Sequence, residues 1–463
     1  MKHSLLVLLL FMLGGYAVTI LTSGCAQIGV VAGGPQDTLP PLLIKATPDN
    51  RTVNFSGNKI VLSFNEYIEV QETQANVLIS PFPKSTPTIS SNLKTITIKL
   101  KDSLLPNTTY NIDFGNSVKD INEGNVYKNL SYTFSTGNYI DSLELYGKVI
   151  LAETGKTDST LRILLYQNAT DTDVRNKKPD YVAKVKADGS FHFKYLPGDN
   201  YKIYALKDGD GNKYYSSKTE VFAFYDREIN VPSDSIAPVL YAYAEKKPSN
   251  NTTPVNEKKK EEKKLLYQTN LLASKQELTD SLTITFNNAL QKATLDSIII
   301  TDTNYQKQIT KRVAIDSTRK VISLSKDWQP GQFLCLIIPA TAVEDSTGKQ
   351  LSKSDTIRFN TKQTEEYGSL QLNFKNLDVS KTPVLQFIQG DAIKSQFNIT
   401  SNVWMNKLMT PGEFEIRILY DTNNNGKWDP GNYQMKKQPE RVIALPEKLS
   451  IKSDWSNERD LVL

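Results

Sequence analysis

Apolar residues in this chain recur at every second position, in short runs broken by Asn, Asp, Gly and Pro. In Thr95-Ile96-Thr97-Ile98-Lys99-Leu100 the residues Ile96, Ile98 and Leu100 share one face and Thr and Lys take the other; Lys59 to Phe64 alternates in the same way. A strand turns successive side chains to opposite faces, so each such run has one side for a core and one for water. Helical periodicity is nearly absent. The runs are spaced as the strands of β-sandwiches are, and the chain is read as all-β.

The alternating segments come in two copies. Ile60-Val61-Leu62-Ser63-Phe64-Asn65-Glu66 matches Leu282-Thr283-Ile284-Thr285-Phe286-Asn287-Asn288. Val118-Lys119-Asp120 with Gly124 matches Val343-Glu344-Asp345 with Gly348, and Tyr132 to Thr136 matches Ile357 to Thr361, at a nearly constant offset. A repeat of this length is a duplicated domain pair. Between the copies, residues 246–264 hold Lys258-Lys259-Lys260-Glu261-Glu262-Lys263-Lys264 and no apolar period, which reads as a solvated linker or a short charged helix. The expected map is tandem β-sandwiches in an A–B–A′–B′ order. A spans 39–137, B 143–245, A′ 265–362 and B′ 366–463, and the two halves are expected to fold independently.

The first residues carry a different signal. Lys2 precedes an uncharged apolar run from Leu5 to Leu13, and the stretch closes on Leu21-Thr22-Ser23-Gly24-Cys25. This resembles the bacterial lipobox, with Thr22 where that pattern usually has Leu. The resemblance implies a signal peptide over 1–24, lipidation of Cys25, and a Gly-rich tether over 25–38. The only other cysteine, Cys335, lies in an apolar run and reads as a small buried hydrophobe.

Segments A and A′ resemble bacterial Ig-like domains of the surface-layer type. The likeness rests on Pro40-Pro41, the Phe64-Asn65-Glu66 strand end, the Leu105 to Tyr110 turn and the Val118-Lys119-Asp120 loop. B resembles carboxypeptidase-regulatory or transthyretin-like sandwiches through Asp188-Gly189-Ser190-Phe191 and Leu196-Pro197-Gly198; B′ lacks the Asp-Gly-Ser-Phe turn. Neither family implies catalysis by the domain itself, and fold alone does not settle function.

The residue inventory narrows the chemistry. A net charge of +5, from 55 basic and 50 acidic residues, comes without a basic stripe and gives no sign of nucleic-acid binding. After Cys25 there is one histidine, His192, placed by alternation opposite Phe191 and Phe193 and read as exposed and structural. One His and one buried Cys argue against Ser-His-Asp, Cys-His and His-zinc sites. A hydrolase using two carboxylates is the least favoured alternative.

Two loops suggest a cation. Asp421-Thr422-Asn423-Asn424-Asn425-Gly426-Lys427-Trp428-Asp429 sets Asp, Asn and Asn at alternate positions before Gly, the start of a calcium loop. Its candidate ligands are Asp421, Asn423, Asn425, Asp429 and the Lys427 carbonyl. Asp208, Asp210 and Asn212 form a shorter version in B. The competing reading of both loops is a hydrogen-bonded Asx turn. No other cofactor is indicated. Six Asp-Ser/Thr pairs followed by an apolar residue, such as Asp102-Ser103-Leu104 and Asp355-Thr356-Ile357, resemble periplasmic O-glycosylation acceptors and equally suit turns before strands.

Taken together these features predict a non-catalytic lipoprotein of the outer membrane, favouring its periplasmic side. It would act as a binding or scaffold component of an envelope complex, with a β-barrel assembly or secretion complex as protein partner. Glycan binding through Trp404, Trp428 and Tyr433 is the alternative.

Overall fold

The computed structural model describes residues 36–233, 237–247 and 264–463. The lipobox with Cys25, the signal peptide and most of the linker lie outside the described residues. Among the described residues no helix is long and apolar enough to cross a membrane.

The chain forms tandem β-sandwiches, and the strands of each copy appear in the same order. In A one sheet runs Leu43–Thr47, Lys59–Phe64, Thr95–Lys99, Thr88–Asn92, and the other Leu130–Ser135, Thr109–Gly115, Leu78–Ser80. In A′ the first sheet is Tyr267–Thr269, Leu282–Phe286, Val321–Ser325, Arg312–Ile315; the second is Lys275–Gln276, Asp355–Thr361, Phe333–Ile338, Ile299–Thr301. The alternating residues do what their period requires: Ile60, Leu62, Ile96 and Ile98 are fully buried in A, as are Leu282, Ile284, Ile322 and Leu324 in A′. Cys335 is a buried free thiol in the A′ core.

The repeated Val-x-Asp…Gly loop has a structural reason. Asp120 Oδ1 accepts the amides of Glu123 and Gly124, and its Oδ2 that of Asn125. Asp345 accepts the amides of Thr347 and Lys349 and the Asn288 side chain. Burial would raise the Asp345 carboxyl, but these donors prevail and lower it to about 2.

B and B′ also share one topology. In B the sheets are Ser190–Leu196, Leu143–Leu151, Val239–Ala242 and Tyr181–Lys184, Arg162–Gln167, Asp199–Leu206, Phe222–Phe224, with Ile229–Val231 also on Asp199–Leu206. In B′ they are Val403–Met409, Gly368–Lys375, Ser456–Val462 and Ala392–Asn398, Pro383–Gln389, Gly412–Tyr420, Arg441–Ile451. The last strand of the first sheet runs parallel to its neighbour in both domains, Val239–Ala242 on Leu143–Leu151 and Ser456–Val462 on Gly368–Lys375. B′ therefore repeats B without the Asp-Gly-Ser-Phe turn.

B and B′, on either side of the linker, pack against each other. Residues 141–463 fall in one compact unit, in which the segment before Arg441 of B′ packs on the outer face of the second B sheet. Tyr433 is 4% exposed and sits among Tyr204, Tyr215, Phe222 and Phe224, with ring centroids 5.1–6.3 Å away. Its hydroxyl donates to the Asp171 carbonyl (2.6 Å) and meets that of Tyr204 (3.1 Å), and its amide donates to Glu245. Around this seat Gln438 donates to the Phe224 carbonyl, Val442 N–H to the Ala152 carbonyl, and Lys156 pairs with Glu415. Gly431 permits the approach, because a Cβ there would lie 2.6 Å from the Tyr243 ring. The interface reflects sheets buried on both faces: Arg162–Gln167 is buried at all four inner positions, which a sandwich strand with one wet face is not.

Candidate metal-binding loops

Each candidate loop joins equivalent strands of the two B-type domains. The B loop leaves Asp199–Leu206 and returns at Phe222–Phe224; the B′ loop leaves Gly412–Tyr420 and returns at Arg441–Ile451. Each starts with an Asp, 208 or 421, and ends with a Glu just before the next strand, 220 or 440. Neither Glu was a candidate in the sequence, because each stands far along the chain from its Asp.

The B′ loop brings Asp421, Asn423, Asn425 and Asp429 together and satisfies them internally. Asp421 is fully buried; its Oδ1 accepts the Asn425 amide (3.2 Å) and its Oδ2 that of Gly426 (2.6 Å). Asn423 Oδ1 accepts the Asn425 amide, Asn425 Oδ1 the Lys427 amide, and both side-chain amides donate to Asp429 Oδ2. Lys427 itself is exposed. Glu440 closes the loop from below: Oε1 accepts the Thr422 amide and hydroxyl, and Oε2 the Asp429 amide. A carboxylate with two or three such donors resembles the Asp120 and Asp345 loops in its chemistry.

The B loop is assembled differently. Asn212 Oδ1 accepts the Tyr214 amide and its side-chain amide donates to Asp210 Oδ2, so its oxygen is committed. Glu220 stands in its place: Asp208, Asp210 and Glu220 each bring one carboxylate oxygen within 4.8 Å of the others. Glu220 Oε2 accepts the amides of Ser216 and Ser217. Asp208 Oδ2 pairs with Lys213 at 2.9 Å, and its Oδ1 is closed off from solvent without a hydrogen-bond partner. Burial works against the charge on Asp208, but Lys213 more than offsets it and keeps the carboxyl below its ordinary value.

The other singled-out residues fill structural places. His192 lies opposite Phe191 and Phe193, as alternation requires, yet it is half-buried rather than exposed, because Tyr146 stacks on its ring at 4.2 Å. Trp404 packs on Phe387 and Phe397. The Trp428 ring covers Val384, Leu419 and Val442, and its indole N–H donates to the Glu440 carbonyl. With Tyr433 buried, none of the three aromatics offered for sugar stacking stands as an exposed platform.

Residues 37–136 and 267–361, the two A segments, match the family described as bacterial Ig-like domain. The chain carries two bacterial Ig-like domains. No curated protein matches the chain. Among solved structures it is similar to the Bacillus anthracis TIE protein, at 11% identity and a TM-score of 0.17, over 93% of this chain and 75% of that one. It is also similar to the N-terminal part of the bacterial S-layer protein SbsC, at 13% identity and a TM-score of 0.16, over 44% of each chain. The major pilin subunit BcpA of Bacillus cereus aligns at 10% identity and a TM-score of 0.16, over 69% of this chain and 99% of that one. Likenesses this low say nothing of what the chain does.

Proposed function

We propose that this chain is a non-catalytic scaffold of the cell envelope, held at the outer membrane by lipid on Cys25 and facing the periplasm. The observation that carries this reading is the seat of Tyr433. Two sandwiches far apart in sequence are locked together by a buried aromatic and a ring of polar contacts, which suits a stiff binding platform rather than beads on a string. Three further features support it. The Leu21 to Cys25 motif fits an acylation site, and acyl chains add about 0.8 kcal/mol of membrane affinity per buried CH₂. The sandwich architecture of its Ig-like domains is shared by many cell-surface domains. The one described histidine stacks on Tyr146 and pairs with Glu144 at 3.1 Å in B, whereas Cys335 is buried in A′, so the two do not form a Cys-His pair.

The partner class is an outer-membrane protein complex, with β-barrel assembly or secretion machinery as its most concrete form. The test is a crosslinked pull-down from envelopes at native expression. It is expected to recover an outer-membrane protein in constant ratio with the chain, and Cys25→Ser is expected to shift the chain to the soluble or unprocessed fraction. Recovery of the chain alone, or unchanged outer-membrane fractionation of Cys25→Ser, contradicts the proposal.

A further inference from the structure

We propose that the B loop between Leu206 and Phe222 binds one calcium ion through the carboxylates of Asp208, Asp210 and Glu220. Three acidic side chains converge there, with oxygens within 4.8 Å of one another. Among the described residues Lys213 is the cation that pairs with the cluster, and it occupies only Asp208 Oδ2. The second observation is independent of the clustering. The Asp208 side chain is 7% exposed, and its Oδ1 is buried with no partner at all. A buried ionised oxygen without a donor is costly, and native structures almost always satisfy such atoms by hydrogen bond, water or ion. The carboxylates of Asp210 and Glu220 cannot donate to it when ionised, whereas a cation can pair with all three.

The donor set selects the ion. All the ligands are oxygens, with no imidazole or thiolate, which favours calcium or magnesium over zinc and copper. Calcium accepts irregular, loop-built spheres of oxygens, whereas magnesium demands near-ideal octahedral geometry and keeps several waters. Gly211 takes φ +79° in a stretch where a side chain would meet nothing, so the loop can turn its oxygens inward. Glu220 supplies the late carboxylate that the sequence pattern alone lacks.

The ion has a role in the architecture. Tyr215 lies within this loop, stacks on Phe222 at 4.1 Å and faces Tyr433 at 6.3 Å. Calcium would order the loop that forms one wall of the Tyr433 seat.

The experiment is a calcium titration of the full mature chain in mild detergent, by calorimetry and by melting, with magnesium as control. One calcium per chain is expected, with a Kd on the order of 10⁻⁴–10⁻³ M as for extracellular modules. The melting temperature is expected to rise with calcium and not with equal magnesium. Asp210→Asn, at an exposed position, and Glu220→Gln should each weaken binding by about tenfold or more while leaving the melt in chelator unchanged or higher. Asp429→Asn, in the B′ loop, should leave calcium binding intact. Absence of saturable binding, binding that survives Asp210→Asn with Glu220→Gln, or binding lost in Asp429→Asn would each overturn the proposal.

Discussion

The B and B′ loops descend from one duplicated connection, and they resolve the same electrostatic problem in opposite ways. In B′ the candidate side chains are met from within: backbone amides cap Asp421, the Asn423 and Asn425 amides meet Asp429 Oδ2, and Glu440 closes the base. In B Asp210 stands where B′ has Asn423, which removes one of those amide donors, and Asp208 keeps a buried oxygen with no hydrogen-bond partner. The richer acidic motif by sequence pattern is thus not the one left unsatisfied. What decides is whether amide side chains stand where carboxylates could, because an amide both donates and accepts and a carboxylate only accepts. The B′ loop, satisfied and rigid, carries Trp428 onto its own sheet and leads to Tyr433, which enters B.

The largest test of this contrast is Tyr433→Ala. It empties a buried aromatic site and should lower stability by about 3–5 kcal/mol, measured by denaturant unfolding of the 141–463 unit within the full chain. A loss below about 1 kcal/mol would mean that the B′ loop is not committed to docking.

Next in size is Asp421→Ala, which strands the Gly426 amide, leaves that of Asn425 to Asn423 alone, and should cost about 1–3 kcal/mol with or without calcium. Asp210→Asn in chelator should fall within about 0.5 kcal/mol of the parent. Equal losses from both would erase the distinction between a closed loop and an open one.

A smaller effect extends the closed-loop logic to A′. Asp345 is held at about 2, against an ordinary 3.8, so its ionised form favours the folded state. That contribution is fully present above about pH 4 and is lost as pH falls toward about 2. An acid titration of Asp345→Asn should lack this part of the loss; the same acid profile as the parent would show that the loop amides do not stabilise the carboxylate.

Much of the fold was legible because burial and period agree residue by residue. Ile60, Leu62, Ile96 and Ile98 alternate in sequence and are fully buried, and the duplicated Val-x-Asp…Gly segments form the same loop twice. The docking of B on B′ was not legible, since a Tyr in an Asn- and Gly-rich stretch looks like a surface aromatic. Only Leu164 and Tyr166, buried on the outer face of a central strand, hinted that this face is covered. The calcium pattern read from Asp421 weighted ligand letters over hydrogen-bond supply. Glu220 and Glu440 escaped because a loop closure brings them back across many residues, which spacing rules for contiguous motifs do not capture.

The claim on which the rest depends is that B and B′ form one body across the linker. A protease site placed within residues 248–263 allows the folded chain to be cut there and passed over a sizing column at low micromolar concentration. The two fragments are expected to elute together at the volume of the intact chain, held by the Tyr433 seat. Separate elution of the folded halves would contradict the account.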